Sequence, residues 1–249
     1  MTRLDLVQRQ SVERDFWRHS AAEGADSDPL DNFLQKAADA RLLLDLLQLY
    51  RPIFEGAESI LELWAGQGWG ACIVKRRFPR ARVITSDISE HAVASVWKWE
   101  YLCQVKLDGA LTRLSYDLQE HDGSFDLVFC FAAAHHFGAH RRTLREIHRV
   151  LQPGGKCLYL YEPSCLPYLH SLASRRVNRI RRTAPEDVLV YSKIRDLAAE
   201  VGLDCDIRFY PSVANRAPVP LLYYSALSRL RFLQRLLPCT ANYEFTRRG

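Results

Sequence analysis

The stretch Ile60-Leu-Glu-Leu-Trp-Ala-Gly-Gln-Gly-Trp-Gly-Ala-Cys72 decides how the whole chain reads. Its first residues, with Ser59 ahead of them, make a short apolar run (59–63) that predicts a buried strand. Gly66, Gly68 and Gly70 follow on alternating positions, and the segment from there to Pro79 predicts a helix. In a strand, glycine turn and helix in that order, the glycines let a ligand approach the backbone closely and the helix offers free N–H groups. Trp64 stands where the smallest residue is expected.

Outward from this unit, apolar strands and amphipathic helices alternate. Further strands are predicted at 81–87, 110–117, 124–131, 156–163, 204–211 and 240–248. Ser89 is placed to cap one helix, and Gly202 to follow the end of another. Near-continuously apolar strands separated by helices predict an α/β fold: a Rossmann-like, seven-stranded, mostly parallel sheet with helices on both faces. Residues 1–55 predict an N-terminal helical cap, with Phe33, Leu34, Ala37, Ala38, Leu42 and Leu46 on one helix face. Residues 56–249 form the main domain, interrupted near its end by lid-like insertions at 164–190 and 212–240.

Composition bounds the function classes. The chain has 249 residues, 48% of them hydrophobic, and a formal charge of +5, too small an excess to imply nucleic acid by itself. Seven cysteines at 72, 103, 130, 157, 165, 205 and 239 contain no CxxC and predict mostly buried thiols rather than a disulfide framework. The N-terminus is too polar for a secretion signal, and no run of eighteen apolar residues exists, so the expected location is the cytoplasm.

Chemistry concentrates at the predicted strand ends. Gly66-x-Gly68-x-x-Ala71 also fits a dinucleotide fingerprint, so the glycines alone do not choose a ligand. Glu62, at the end of the first strand, disfavours a pyrophosphate and suits a cation. Asp87, followed by Ile88, ends the second strand and suits ribose hydroxyls. Asp117 is read as ending the third, placed for an adenine amino group with the Leu118 N–H on a ring nitrogen.

With these residues the chain resembles a class I S-adenosylmethionine-dependent methyltransferase of the small-molecule type, with a methyltransferase-11-like domain. The resemblance runs over residues 58–163, and more loosely to about 210. Its motifs fall in order on Glu62 to Gly68, Asp87, Asp117, Phe125-Asp126-Leu127-Val128 and Arg149 to Gly155. It implies S-adenosylmethionine as cofactor, held by Glu62, Trp64, Gly66, Gly68, Asp87, Ile88, Asp117, Leu118 and Ala132. Trp64 departs from the pattern, because the family has its first glycine there, and this puts the methionine end of the cofactor pocket in question.

His135 and His136, in "AAAHHFGAH" after the fourth strand, are the candidate catalytic residues, as a general base for an acceptor hydroxyl or amine. The alternative is that one histidine merely orients a loop. His136 and His140 are four apart, but Gly138 weakens a helix between them and no local carboxylate completes a set, so no metal is expected. Glu162 either touches substrate, acts as a base or caps the turn before Pro163. Tyr159 and Tyr161 read as packing. Arg175, Arg179 and Arg182 share a predicted helix face, either solvated or facing a phosphate or anionic lipid. Residues 221–237 form an amphipathic stretch for which the pocket, a dimer or a membrane surface are open partners.

The expected function is transfer of a methyl group to a small-molecule acceptor, most simply at oxygen, by in-line displacement. The partners expected are that acceptor and no nucleic acid, with no transmembrane segment, in a monomer or homodimer. Rivals are a nicotinamide dehydrogenase, a methyltransferase acting on nucleic acid or on a lipid-linked or phosphorylated acceptor, and a non-catalytic scaffold.

Overall fold

The computed structural model describes residues 5–20, 29–180, 186–214 and 216–249. Three helices come first: α1 (Leu6–His19), α2 (Pro29–Leu49) and α3 (Arg51–Glu55). The alternating region follows, with β1 (Ser59–Leu63), α4 (Trp69–Arg77), β2 (Arg82–Asp87), α5 (Glu90–Ala94), α6 (Val96–Cys103), β3 (Gly109–Thr112), β4 (Phe125–Phe131), α7 (His140–Val150) and β5 (Leu151–Cys165). The last part comprises α8 (His170–Ile180), β6 (Leu189–Val190), α9 (Tyr191–Glu200), β7 (Leu203–Phe209), α10 (Pro218–Arg229), α11 (Leu233–Leu236) and β8 (Cys239–Arg247).

The strands form one sheet in the order β3-β2-β1-β4-β5-β8-β7, with β6 paired to β5. Pairing is parallel from β3 to β5, and β8 runs antiparallel to both β5 and β7. The sheet therefore has eight strands rather than seven, the extra one being the two-residue β6, too short to show as an apolar run. Alternation along the strands builds two cores. Leu61, Leu63, Val128 and Cys157 meet α7 and α9 on one face. Ile60, Val83, Leu127 and Leu158 meet α2, α4 and α6 on the other. Fully burying one such side chain contributes roughly 1.5–3 kcal/mol, so these paired layers hold the strand ends rigid.

Ser89 caps α5, and Gly202 takes a φ of +86° after α9. The N-terminal helix face departs from expectation. Leu42, Leu43, Leu46 and Leu47 are buried, whereas Phe33 and Leu34 are exposed. The inward stripe of α2 begins with Asn32, whose Nδ2 donates to Gln67 Oε1 at 2.7 Å, and continues through Lys36 and Asp39. Polar residues, not leucines, face inward over the first turns because the surface beneath them is the cavity described next.

Candidate active site

At the carboxyl ends of β1, β2, β4 and β5 lies a cavity of about 320 Å³. This end of a parallel sheet, where chain order reverses between β1 and β4, is where open α/β folds place ligands. Glu62, Trp64, Gly66 and Asp87 line it from β1 and β2, and Phe131, Ala132, His136 and Tyr161 from β4 and β5. Glu13 and Trp17 of α1, Lys36 and Asp39 of α2, and Glu186 complete the wall.

The glycine turn is dictated by backbone geometry. Gly66 and Gly68 have φ of +56° and +71°, a region that favours glycine. A Cβ on Gly68 would lie 3.1 Å from the Thr85 side chain, and one on Gly66 2.7 Å from the Trp17 indole. Trp64 shares this left-handed conformation at φ +52°, although it carries a full side chain. Its ring stacks on His136, with centroids 5.9 Å apart, and meets Phe137 edge-on at 5.6 Å. The indole therefore lines the cavity without filling it.

Two buried carboxylates sit under this turn. Glu62 Oε2 accepts the Ala71 N–H at 2.8 Å and the Thr85 hydroxyl at 3.2 Å, so it ties β1 to the first turn of α4. Asp87 accepts the Gly66 N–H and the Ser89 N–H, both at 2.8 Å. Burial is the largest influence on both and outweighs these hydrogen bonds, raising Glu62 to about 8 and Asp87 to about 7. Ile88 is buried beside a second cavity of about 420 Å³, walled by Ser11, Arg14, Ser89 and Thr112. Helix α1 thus contributes to both spaces.

Asp117 and Leu118 do not join the site. Strand β3 ends at Thr112, and Asp117 is exposed in a tight turn, its N–H donating to Leu114 O at 3.0 Å. The Leu118 N–H is already committed to Glu146 Oε2 at 3.0 Å. Arg149 binds Glu146 and the loop through the Glu120 carbonyl, holding this segment on α7. Asp126 lies at the opposite strand end, accepting from Ser59 N–H and hydroxyl.

The β4–β5 side is built around Glu162, which is fully buried. Its Oε1 accepts the Ala133 and Ala134 N–H groups at 2.9 and 2.8 Å. Its Oε2 accepts the His135 N–H at 3.1 Å and lies 2.8 Å from His135 Nδ1. Glu162 thus caps the short turn after β4, not the one before Pro163. Burial would raise its carboxyl, but His135 and the backbone donors hold it below the usual value. His136 has Glu13 Oε1 2.7 Å from its Nδ1, a close ion-pair contact outside hydrogen-bond alignment. Burial works to lower His136, yet Glu13, Glu186 and Glu162 together raise it above the ordinary histidine value. His140 is half-buried with both ring nitrogens shielded, desolvation lowers it to about 4, and it does not join the ligand atoms that gather at His136.

Glu186 brings a carboxylate 3.8 Å from His135 Nε2. One ligand atom each from His135, His136 and Glu186 lie within 4.8 Å of one another, a donor set of the kind divalent ions accept. The sequence has no carboxylate close to these histidines, and this one comes from fifty residues away. Tyr161 also corrects the sequence reading. One extra residue in β5 opposite β8, between Tyr159 and Glu162, turns Tyr161 to φ +62°. Tyr159 stays in the core, while Tyr161 turns to the cavity and its hydroxyl accepts from Arg216 at 2.6 Å. Glu13, Lys36, Glu186 and Arg216 carried no motif. The bulge at Tyr161, likewise, has no residue type that marks it.

Arg175 and Arg179 lie exposed on α8, and Arg182 lies outside the described residues. Among the described residues no helix is long and apolar enough to cross a membrane, and seven cysteines are free.

Comparison with known proteins agrees with this geometry. The family model described as "Methyltransferase domain" matches residues 61–159. A malonyl-[acyl-carrier protein] O-methyltransferase of Priestia megaterium is 24% identical over 62% of this chain and 52% of its own length. A demethylmenaquinone methyltransferase of Thermus thermophilus is 28% identical over 55% of this chain and 60% of its own. The chain thus spans little more than half the length of these relatives. Among solved structures, the geranyl diphosphate C-methyltransferase from Streptomyces coelicolor, in complex with Mg2+, geranyl diphosphate and S-adenosyl-L-homocysteine, superposes with a TM-score of 0.71 at 12% identity. That likeness covers 98% of this chain and all of that one, and is one of fold. Strand order, glycine turn and the methyltransferase-domain match together support a class I S-adenosylmethionine-dependent methyltransferase, the family this chain is similar to.

Proposed function

We propose that the chain transfers a methyl group from S-adenosylmethionine to an oxygen of a small-molecule acceptor. The observation that carries this is one cavity joining the carboxylate-floored glycine turn to a histidine–carboxylate pair. The residues fit a cationic donor. Glu13, Asp39, Glu62, Asp87 and Glu186 line the cavity, against Lys36 and His136 as its basic residues. A diphosphate would meet repulsion there, which disfavours a nicotinamide cofactor. The size also lies within the usual range for small-molecule sites, about 300–1,000 Å³.

When bound, the cofactor supplies an electrophilic methyl group whose departure leaves a neutral sulfide. Everything else falls to the chain. Glu62, Gly66 and Asp87 hold the donor. Trp17, which rests on Gly66, must swing aside or stack on it. The described parts of residues 1–55 act as a cap, with those of 164–190 and 212–240 as lid elements, and exclude water. His136 accepts the acceptor's proton and Glu13 stabilises the imidazolium that results. His135, locked between Glu162 and Glu186, positions the turn that carries His136.

Calorimetry with S-adenosylhomocysteine and with NADH tests the donor assignment, and labelled methyl transfer onto hydroxyl-bearing acceptors tests the chemistry. Heat from NADH alone contradicts the proposal. Methylation at nitrogen or carbon only would move the acceptor atom and leave the donor site standing.

A further inference from the structure

Charge is unevenly placed along this chain. Residues 163–185 and 207–243 contain ten arginines and no aspartate or glutamate, leaving 24 basic against 29 acidic residues elsewhere. The molecule's positive excess therefore belongs to these two segments alone. Besides strand ends that carry Arg208, and Arg216 ahead of α10, their described parts fold into α8, α10 and α11, which gather in one region. Tyr191 donates to the Arg235 carbonyl at 2.9 Å and feels Tyr168, while Arg176 of α8 is within electrostatic reach of Tyr223 on α10.

Arg175, Arg176 and Arg179 on α8, and Arg229, Arg231 and Arg235 around α10 and α11, are exposed. Large apolar side chains stand in solvent on the same elements: Leu172 at 69%, Leu222 at 73%, Phe232 at 61% and Leu236 at 50% exposure, with Tyr168 at 72% just ahead of α8. A solvated basic face would mix lysine with acids and keep its leucines inside. A nucleic-acid face would set phosphates against these leucines. Arginine heads with apolar neighbours and no carboxylate on the same helices match a layer that is anionic at its surface and hydrocarbon just below.

We propose that α8, α10 and α11 form a docking face for an anionic lipid surface. The face shares supports with the cavity: Asn178 of α8 holds the Glu186 backbone, and Arg216, ahead of α10, holds Tyr161. The proposal concerns attachment and stands whether or not the methyl acceptor is oxygen.

The test is co-sedimentation of the full chain with phosphatidylcholine vesicles, with and without phosphatidylglycerol. Binding is expected only with the anionic lipid, and should weaken sharply at about 0.5 M salt. The triple variant R229Q/R231Q/R235Q should lower the partition coefficient by about 100-fold. R175Q/R179Q, on a separate helix, should lower it by about tenfold and guards against misfolding of the first variant. Phe232→Asp should weaken binding even at low salt. Equal binding to both vesicle types overturns the proposal, as does wild-type affinity in all three variants. Oligonucleotide binding, or dimerisation through this face, without vesicle binding overturns it too.

Discussion

The two halves of the cavity handle buried carboxylates in opposite ways. Under the glycine turn, Glu62 and Asp87 have only neutral donors, and burial raises both toward the protonated form. Across the cavity, Glu162 has a histidine and three backbone N–H groups and is held below its usual value. One half gives its carboxylate a histidine partner, and the carboxylates of the other accept only from neutral groups. On the proposed function, a cationic donor would complete the glycine-turn half, and a neutral acceptor that must lose a proton would suit the histidine half.

The largest expected effect breaks the donor half. Asp87→Ala removes the acceptor from two buried N–H groups, at Gly66 and Ser89, and unpaired buried donors cost about 1–3 kcal/mol each. S-adenosylhomocysteine affinity, read by calorimetry, should fall by about 100-fold or more. An unchanged dissociation constant removes Asp87 from the cofactor site.

The acceptor half is probed by Glu13→Gln. Glu13 helps to hold His136 above the ordinary histidine value, and a base must be neutral to accept a proton. The acid limb of kcat/KM should therefore lie above pH 6.5 in the wild type and move to lower pH in the variant. The maximal rate should drop about tenfold, since the imidazolium loses its counter-charge. A limb that stays in place shows that another group takes the proton.

Glu62→Gln tests the contrast itself, because stability and binding should change in opposite directions. The folded carboxyl titrates near 8 against 4.5 for a free one, so ionisation costs stability progressively as pH rises between those values. At pH 8 the variant should melt higher than the wild type. Its preference for S-adenosylmethionine over S-adenosylhomocysteine, a zwitterion without the sulfonium charge, should shrink by about tenfold. In the wild type, S-adenosylmethionine should bind more tightly from pH 6 to 8, releasing protons as Glu62 and Asp87 ionise beside it. A buffer-independent binding enthalpy would show that no such protons are released.

The glycine-turn half of the cavity is the legible one, and for a physical reason. A glycine turn between strand and helix must be written in consecutive residues, because left-handed backbone and a helix start are local requirements. Glu62, Gly66, Gly68 and Asp87 could be read that way. Asp117 misled because an acid in a turn resembles an acid at a strand end. The acceptor half is assembled from α1, the β4 and β5 ends and Glu186. Its pairs, Glu13 with His136 and Glu186 with His135, join residues 51 to 123 positions apart and leave no spacing to recognise. The bulge at Tyr161 reverses an alternation that residue types alone predicted to continue.

Trp64 joins the two halves, and it carries the smallest prediction. Its backbone belongs to the glycine turn, while its ring leans on His136. Removing the ring loses the same packing in Trp64→Ala and Trp64→Gly, so their difference isolates the backbone. At an ordinary helical position alanine is the more stable by about 1 kcal/mol. In the left-handed region alanine is strained by about 1–2 kcal/mol, which outweighs the extra freedom glycine has when unfolded. The order should therefore invert here, with the glycine variant melting about 2 °C higher. Alanine melting higher would mean that the turn is not held left-handed in solution. The family's glycine position would then have been replaced in conformation as well as in side chain.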